Sequence, residues 1–254
     1  MASQKILKEL DALMAREELS LAFKVFVSAW DSTPSLHSEL WSRGFIIAIT
    51  SDIPEIQNSF ITQCKRILKK DPDNYDVLSK MAALYDASER YDKSLPIYQK
   101  MLGMKLPRDI YRDVEYSLAM LYNSTKEYSL AKKFLNAALR KTEDNPDFFT
   151  PYYALMGEIE GNLGNIAAAV YWYDTAITSD PYDSSWMRKC AIMLESNREL
   201  VRAREYWGKI LNIPKERLSE MVCDEGRTYW KNSELQKDKR LAKQRLARYS
   251  NRED

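Results

Sequence analysis

The chain has little of what most active sites and most sheet-rich folds are built from. Its 254 residues include one histidine, three cysteines, seven glycines and nine prolines. So few glycines and prolines exclude a fold made of many tight turns, and they exclude low-complexity disorder. Cys64, Cys190 and Cys223 stand far apart and form no CxxC pair, which excludes a disulfide framework and a zinc knuckle. The expected compartment is therefore the reducing cytoplasm. No apolar run approaches the roughly 18 residues that a membrane span needs. The stretch from Met1 to Leu10 lacks the apolar core of a signal peptide. An excess of one charge is also missing: 38 basic against 37 acidic residues leave a formal +1. That balance excludes a wholly basic nucleic-acid binder.

Catalytic chemistry is equally thin. His37 stands after Pro34 with no patterned nucleophile or carboxylate beside it, and reads as an exposed loop residue. Neither GxxxxGK[ST] nor GxGxxG occurs, so no phosphate cradle is expected. Cys64 and Cys190 fall in packing slots without the local positive charge that makes a thiolate. No catalytic residue, metal site or cofactor is expected, and the chain reads as a non-enzyme.

What is plentiful is bulky apolar material at regular intervals. From Thr150 the chain reads Tyr153, Met156, Gly157, Ile166, Ala169, Tyr173, Ala176 and Pro181. The same offsets return as Leu78, Met81, Ala82, Tyr85, Tyr91, Ser94, Tyr98 and Met101, and again as Leu118, Ala119, Tyr122, Tyr128, Ala131, Leu135 and Ala138. This alternation of small and large residues resembles the tetratricopeptide repeat, whose period is about 34 residues. Six repeats follow, at about 3–36, 41–74, 75–108, 112–145, 150–183 and 184–217. The eighth residue of each repeat is Leu10, Ala48, Ala82, Ala119, Gly157 or Ala191, and the twentieth is Ala22, Phe60, Ser94, Ala131, Ala169 or Ala203. Small side chains at these offsets let two helices approach closely. The twenty-fourth residue (Phe26, Cys64, Tyr98, Leu135, Tyr173 or Trp207) supplies bulk. The second repeat fits worst, because Ser51, Gln57 and Phe60 depart from the pattern. Trp186, with Ala203, Arg204, Tyr206 and Trp207, also resembles the half-a-tetratricopeptide repeats of RNA-processing scaffolds.

The resemblance implies an all-α fold: a right-handed α-solenoid of antiparallel helix pairs over 3–217. A capping helix is expected at 218–232, carrying Leu218, Met221, Val222, Tyr229 and Trp230 at helical spacing, and then a basic helical or disordered tail at 233–254. From Arg227 onward nine basic and four acidic residues give +5, so the rest of the chain carries −4.

In such arrays the first helix of each repeat lines a concave groove, through its second, fifth, ninth, twelfth and thirteenth residues. Carried over to this chain, the groove holds Leu7, Phe45, Ile49, Tyr116 and Met120 as apolar groups. It also holds seven acids (Asp11, Asp52, Asp76, Asp86, Asp113, Glu158 and Glu195) against one base, Arg188. The family's dicarboxylate clamp for acidic chaperone tails needs Lys, Asn and Arg, where this chain has Ser79, Ala83, Ser117, Asp113 and Ala154. The expected function is a non-enzymatic protein-interaction scaffold or adaptor, in one form a client-specific chaperone. Its partner would be a protein or peptide segment that carries basic residues and apolar anchors. The alternative places function in the tail, where Lys237, Lys239, Arg240, Lys243, Arg245 and Arg248 would dock nucleic acid or an anionic surface. Leu235, Leu241, Leu246 and Tyr249 form too thin a stripe for membrane insertion. The opposite charges of body and tail also suggest that the tail docks in an acidic groove, its own or, with self-association, that of a second copy.

Overall fold

A computed structural model describes residues 2–32, 37–51, 53–141, 150–214 and 225–250. Among them are thirteen helices and no strand. They are α1 (Ala2–Ala15), α2 (Leu19–Ser32), α3 (His37–Thr50), α4 (Pro54–Leu68), α5 (Tyr75–Ala87), α6 (Tyr91–Leu102) and α7 (Arg108–Ser124). They continue as α8 (Tyr128–Leu139), α9 (Thr150–Asn162), α10 (Ile166–Ser179), α11 (Ser184–Ser196), α12 (Leu200–Leu211) and α13 (Glu225–Ser250). The chain divides into two compact bodies, Met1–Val114 and Glu115–Asp254, and the division falls within α7.

The first twelve helices form six pairs, each joined by a tight turn. Every residue at the eighth, twentieth and twenty-fourth offsets is buried, Ser94 among them. This is the signature of helices that meet along one face at each period. At Gly157 the approach is so close that a Cβ would lie 3.0 Å from the Tyr173 ring and 3.1 Å from the Ala169 carbonyl oxygen. Glycine is needed there for space rather than for its backbone freedom.

A second regularity sits in the turns. In five repeats the fifteenth residue takes a left-handed backbone: Glu17 (φ 59°), Glu89 (55°), Lys126 (65°), Gly164 (82°) and Arg198 (63°). The next amide then donates to a carbonyl five residues back, as in Arg90 to Tyr85 (2.8 Å), Glu127 to Tyr122 (2.8 Å) and Glu199 to Leu194 (2.9 Å). This bond closes the end of the first helix and satisfies an orphan carbonyl. The repeat at α11–α12 follows the same offsets as the others.

The second repeat differs. Measured from residue 41, both its turn-flanking helix ends come three residues early: α3 stops at Thr50 and α4 begins at Pro54. The Gln57 side chain spans this turn, donating to the Ser51 carbonyl (2.8 Å) and accepting from Ser88 Oγ (2.7 Å). His37, expected in a loop, is the first residue of α3.

In the first body, Phe26 and Phe60 are fully buried, and Trp41 stacks on Phe60 with ring centroids 4.5 Å apart. The second body holds two clusters. One joins Ala119, Leu135, Met156 and Ile159. The other joins Tyr173, Cys190, Trp207 and Ile210 with Leu235 and Ala242 of α13. Cys64 and Cys190 are buried, and burial pushes each thiol up to about 12, so neither is a nucleophile at neutral pH. Cys223 lies outside the described residues.

Candidate functional site

The candidate surface is the face of the first helices of each repeat, taken separately in the two bodies. In the first body these are α1, α3 and α5. Leu7, Phe45 and Ile49 are half-buried against the core. Asp11 is held by both arms of Arg43, Nε at 2.8 Å and Nη2 at 2.9 Å. Asp76 accepts from Trp41 Nε1 (2.7 Å) and pairs with Lys80, whose ammonium also lies over the Phe45 ring at 5.7 Å. Asp113 pairs with Arg112 at 3.0 Å. Asp86 accepts from the Tyr98 hydroxyl at 2.6 Å, and its Oδ1 is buried without a hydrogen-bond partner. Burial raises the Asp86 carboxyl above its ordinary value, against the opposing pull of Ser94 and Tyr98. Asp52 lies outside the described residues.

In the second body the face is built by α7, α9 and α11. Tyr116 stacks on Tyr152 with centroids 4.2 Å apart. Burial, then the charge of Glu158, push its hydroxyl up to about 12. Glu158 accepts from Asn123 Nδ2 and Lys189 Nζ, each at 2.7 Å, and so ties α9 to both neighbours. Met120 remains 48% exposed. So does Ile192 at 39%, at the same offset two repeats later, and in the first body Ile46 at 44%. Neither isoleucine was among the expected groove residues. The signal that could have found Ile192 was the ninth offset itself, applied to the sixth repeat.

The expected excess of acid on this face needs correction. Asp11, Asp76, Asp113, Glu158 and Glu195 each have a cation of the same chain beside them: Arg43, Lys80, Arg112, Lys189 and Arg245. Those bases stand at offsets outside the five that were counted. Lys80 and Arg112 reach acids on their own helix, whereas Arg43 and Lys189 reach a carboxylate on the preceding repeat, across the roughly 8–10 Å that separates neighbouring helices.

The tail is also resolved into a definite structure. Residues 225–250 form one helix, α13, which packs against α12 and α11. Its inner face buries Leu235, Asp238 and Ala242. Asp238 accepts from Ser184 Oγ at 2.7 Å and pairs with Arg188 at 2.9 Å. Burial raises its carboxyl, while Ser184 and Arg188 oppose that shift. Glu195 accepts from Trp207 Nε1 (2.9 Å) and from the Tyr249 hydroxyl, and pairs with Arg245 Nη1 at 3.1 Å. Lys239 donates to the Ile213 carbonyl, and Lys237 pairs with Glu234 on the same helix. Arg240, Lys243 and Arg248 are exposed. The described contacts that cover the last repeat thus come from residues 234–249. Of the segment 218–232, residues 218–224 lie outside the described residues. Arg188 and Glu195, expected to await a partner, are occupied by the chain's own helix.

Together these features define a class: helix pairs packed side by side within each body, with no cluster of metal-ligating groups among the described residues. Residues 116–144 and 150–183 match the family model described as tetratricopeptide repeat, and the chain carries tetratricopeptide repeats. A tetratricopeptide repeat protein of known structure from Parabacteroides merdae superposes with a TM-score of 0.59 at 16% identity, covering 96% of this chain and 97% of that one. PilF of Pseudomonas aeruginosa gives 0.57 at 14% identity, covering 93% and 97%. At such identities the likeness is one of fold. Among curated proteins, the mouse N-alpha-acetyltransferase 16, NatA auxiliary subunit, is 28% identical over 157 residues. That match takes in 60% of this chain and spans 17% of the relative's length. Among the described residues, no helix is long and apolar enough to cross a membrane.

Proposed function

We propose that the chain is an interaction scaffold that holds an extended or helical segment of another protein on the first-helix face of its second body. The observation that carries this reading is the pair Met120 and Ile192, exposed at 48% and 39% at one repeat offset on either side of Glu158. Exposed apolar groups at a recurring position are what a partner's apolar side chains would cover. Charge plays the second part. Glu158 already shares Lys189, so an incoming Lys or Arg would compete for it rather than fill an empty site. The partner is therefore a segment with apolar anchors first and flanking basic residues second. The name of the curated relatives, an auxiliary subunit, agrees with a role in assisting another protein.

The test is selection of peptides from a randomised display library on the full chain. Enrichment of aliphatic or aromatic residues flanked by Lys or Arg is expected. The double variant Met120→Asp, Ile192→Asp should keep its helical circular dichroism and lose at least tenfold in affinity for the selected peptides. Unchanged affinity, or selection without apolar residues, would remove the reading.

A further inference from the structure

With its inner face committed to the last repeat, α13 turns a separate face outward. Gln236, Lys237, Arg240, Lys243, Gln244, Ala247 and Arg248 are its exposed side chains over this stretch. From Lys237 to Arg248 the stripe runs about 16 Å along the helix. Among the described residues no carboxylate pairs with Arg240, Lys243 or Arg248, and Lys237 is 70% exposed beside Glu234. Other bases of the helix, Arg245 and Lys239, are turned into the body. The folding of the tail has therefore sorted its charges: some anchor the helix, and the rest stand together in solvent.

We propose that this outer face of α13 is a docking surface for the phosphate backbone of a nucleic acid. The stripe carries no exposed aromatic or large aliphatic group, since Leu235, Leu241, Leu246 and Tyr249 all pack inward. A partner must therefore be held by charge alone. Exposed ion pairs to an acidic protein segment add little each, because both partners are well solvated before they meet. A nucleic acid differs, because its condensed counterions are released when phosphates are neutralised, and that release drives binding without apolar contact. A flat anionic membrane fits less well. It would also meet the rest of the chain, which carries −4 outside the tail, whereas a rod-like polyanion can follow a single helix. With no exposed ring between Lys237 and Arg248 among the described residues, the stripe's contact is to the backbone and reads no sequence.

The chemistry sets the expected numbers. About four phosphate contacts give a slope near −3.6 in log affinity against log salt, or about a hundredfold loss between 50 and 200 mM. The probe is a fluorescein-labelled 20-base-pair DNA duplex, titrated with the full chain by anisotropy at several salt concentrations. The triple variant Arg240→Gln, Lys243→Gln, Arg248→Gln changes only exposed side chains. It should keep its circular dichroism, bind at least tenfold more weakly at 50 mM salt, and show a slope reduced by about three. The single variant Lys237→Gln should lower the slope by about one. Absence of duplex binding at 50 mM salt would overturn the proposal, as would a triple variant that binds like the parent. So would tighter binding to polyglutamate or to vesicles rich in phosphatidylserine than to the duplex. Peptide binding by the second body should survive the triple variant, which keeps this test separate from that of the scaffold.

Discussion

The second and fifth repeats solve one packing problem with two different turns. In the fifth, α9 ends at Asn162, Gly164 takes φ 82°, and the Asn165 amide closes onto the Glu160 carbonyl at 2.9 Å. In the second, the same helix ends come three residues early, and Gln57 bridges the turn through its side chain. Yet Ala48, Phe60 and Cys64 are as fully buried as Ala169 in the fifth. A slip of three residues is close to one helical turn of 3.6, so the same face still points inward. What a repeat must keep is its buried face. The turn can slide beneath it.

Substitution of the tightest contacts should break this comparison most sharply. A Cβ at Gly44 would strike the ring of Phe26, which is fully buried and has little room to move. Gly44→Ala should destabilise by about 2–3 kcal/mol. At Gly157 the Cβ contacts are 3.0 and 3.1 Å. There the loss should be smaller, about 1 kcal/mol, because the clash is milder and the helix gain of alanine, common to both sites, offsets more of it. Denaturant midpoints decide it, and equal losses would mean that the second repeat is no tighter than the fifth.

Next in size is the ion pair that the buried Glu160 of the fifth repeat makes with the partly exposed Lys132 of α8. Glu160 is 5% exposed, pairs with Lys132 at 2.7 Å, and accepts from Asn165 Nδ2 at 2.8 Å. Burial works against its charge, but the Lys132 and Asn165 bonds prevail and hold the carboxyl below its ordinary value. Lys132→Met leaves that carboxylate unpaired and should cost about 2 kcal/mol, against about 1 kcal/mol for Gln57→Ala in the second repeat. The pH dependence has a definite sign. A depressed folded value means a stability contribution present above the unfolded value, near 4.3, and lost as pH falls through the folded one. That loss should vanish in Glu160→Gln. A parent chain whose acid unfolding matches this variant would show that the pair adds nothing.

The smallest effects should come from the turns. Gly164→Ala places a side chain at φ 82° and should cost about 1 kcal/mol. Glu89→Gly relieves the same strain at φ 55° but loosens the unfolded chain, so it should change stability by less than about 0.5 kcal/mol. A large gain from Glu89→Gly would show that the repeats store strain in their turns.

Particular residues show how far the sequence could be read. Ala119, Ala131 and Leu135 announced their burial because they recur at offsets shared with other repeats. The left-handed turn residue was visible only at Gly164. Glu17, Glu89, Lys126 and Arg198 carry no sign of it, because the tertiary pairing of the helices imposes that backbone on them. The pairing of Glu158 with Lys189 was hidden for a different reason: the partners lie 31 residues apart, on different helices. The tail hid its own role because Asp238, a charged residue, interrupts the apolar face between Leu235 and Ala242. Its partner Ser184 is 54 residues away.

By itself, then, the amino-acid sequence determined that the chain is a helical repeat array and which face of the repeat helices is inside. The physical reason is that helical periodicity is local: a residue and its packing neighbours stand at offsets set by 3.6 residues per turn and a period of about 34. Only the tertiary structure decided which charges remain open to a partner. Arg43, Lys189 and Arg245 reach carboxylates supplied by other helices, whereas Arg240, Lys243 and Arg248 are left facing water. Long charged side chains choose among partners in space, and no spacing along the chain encodes that choice.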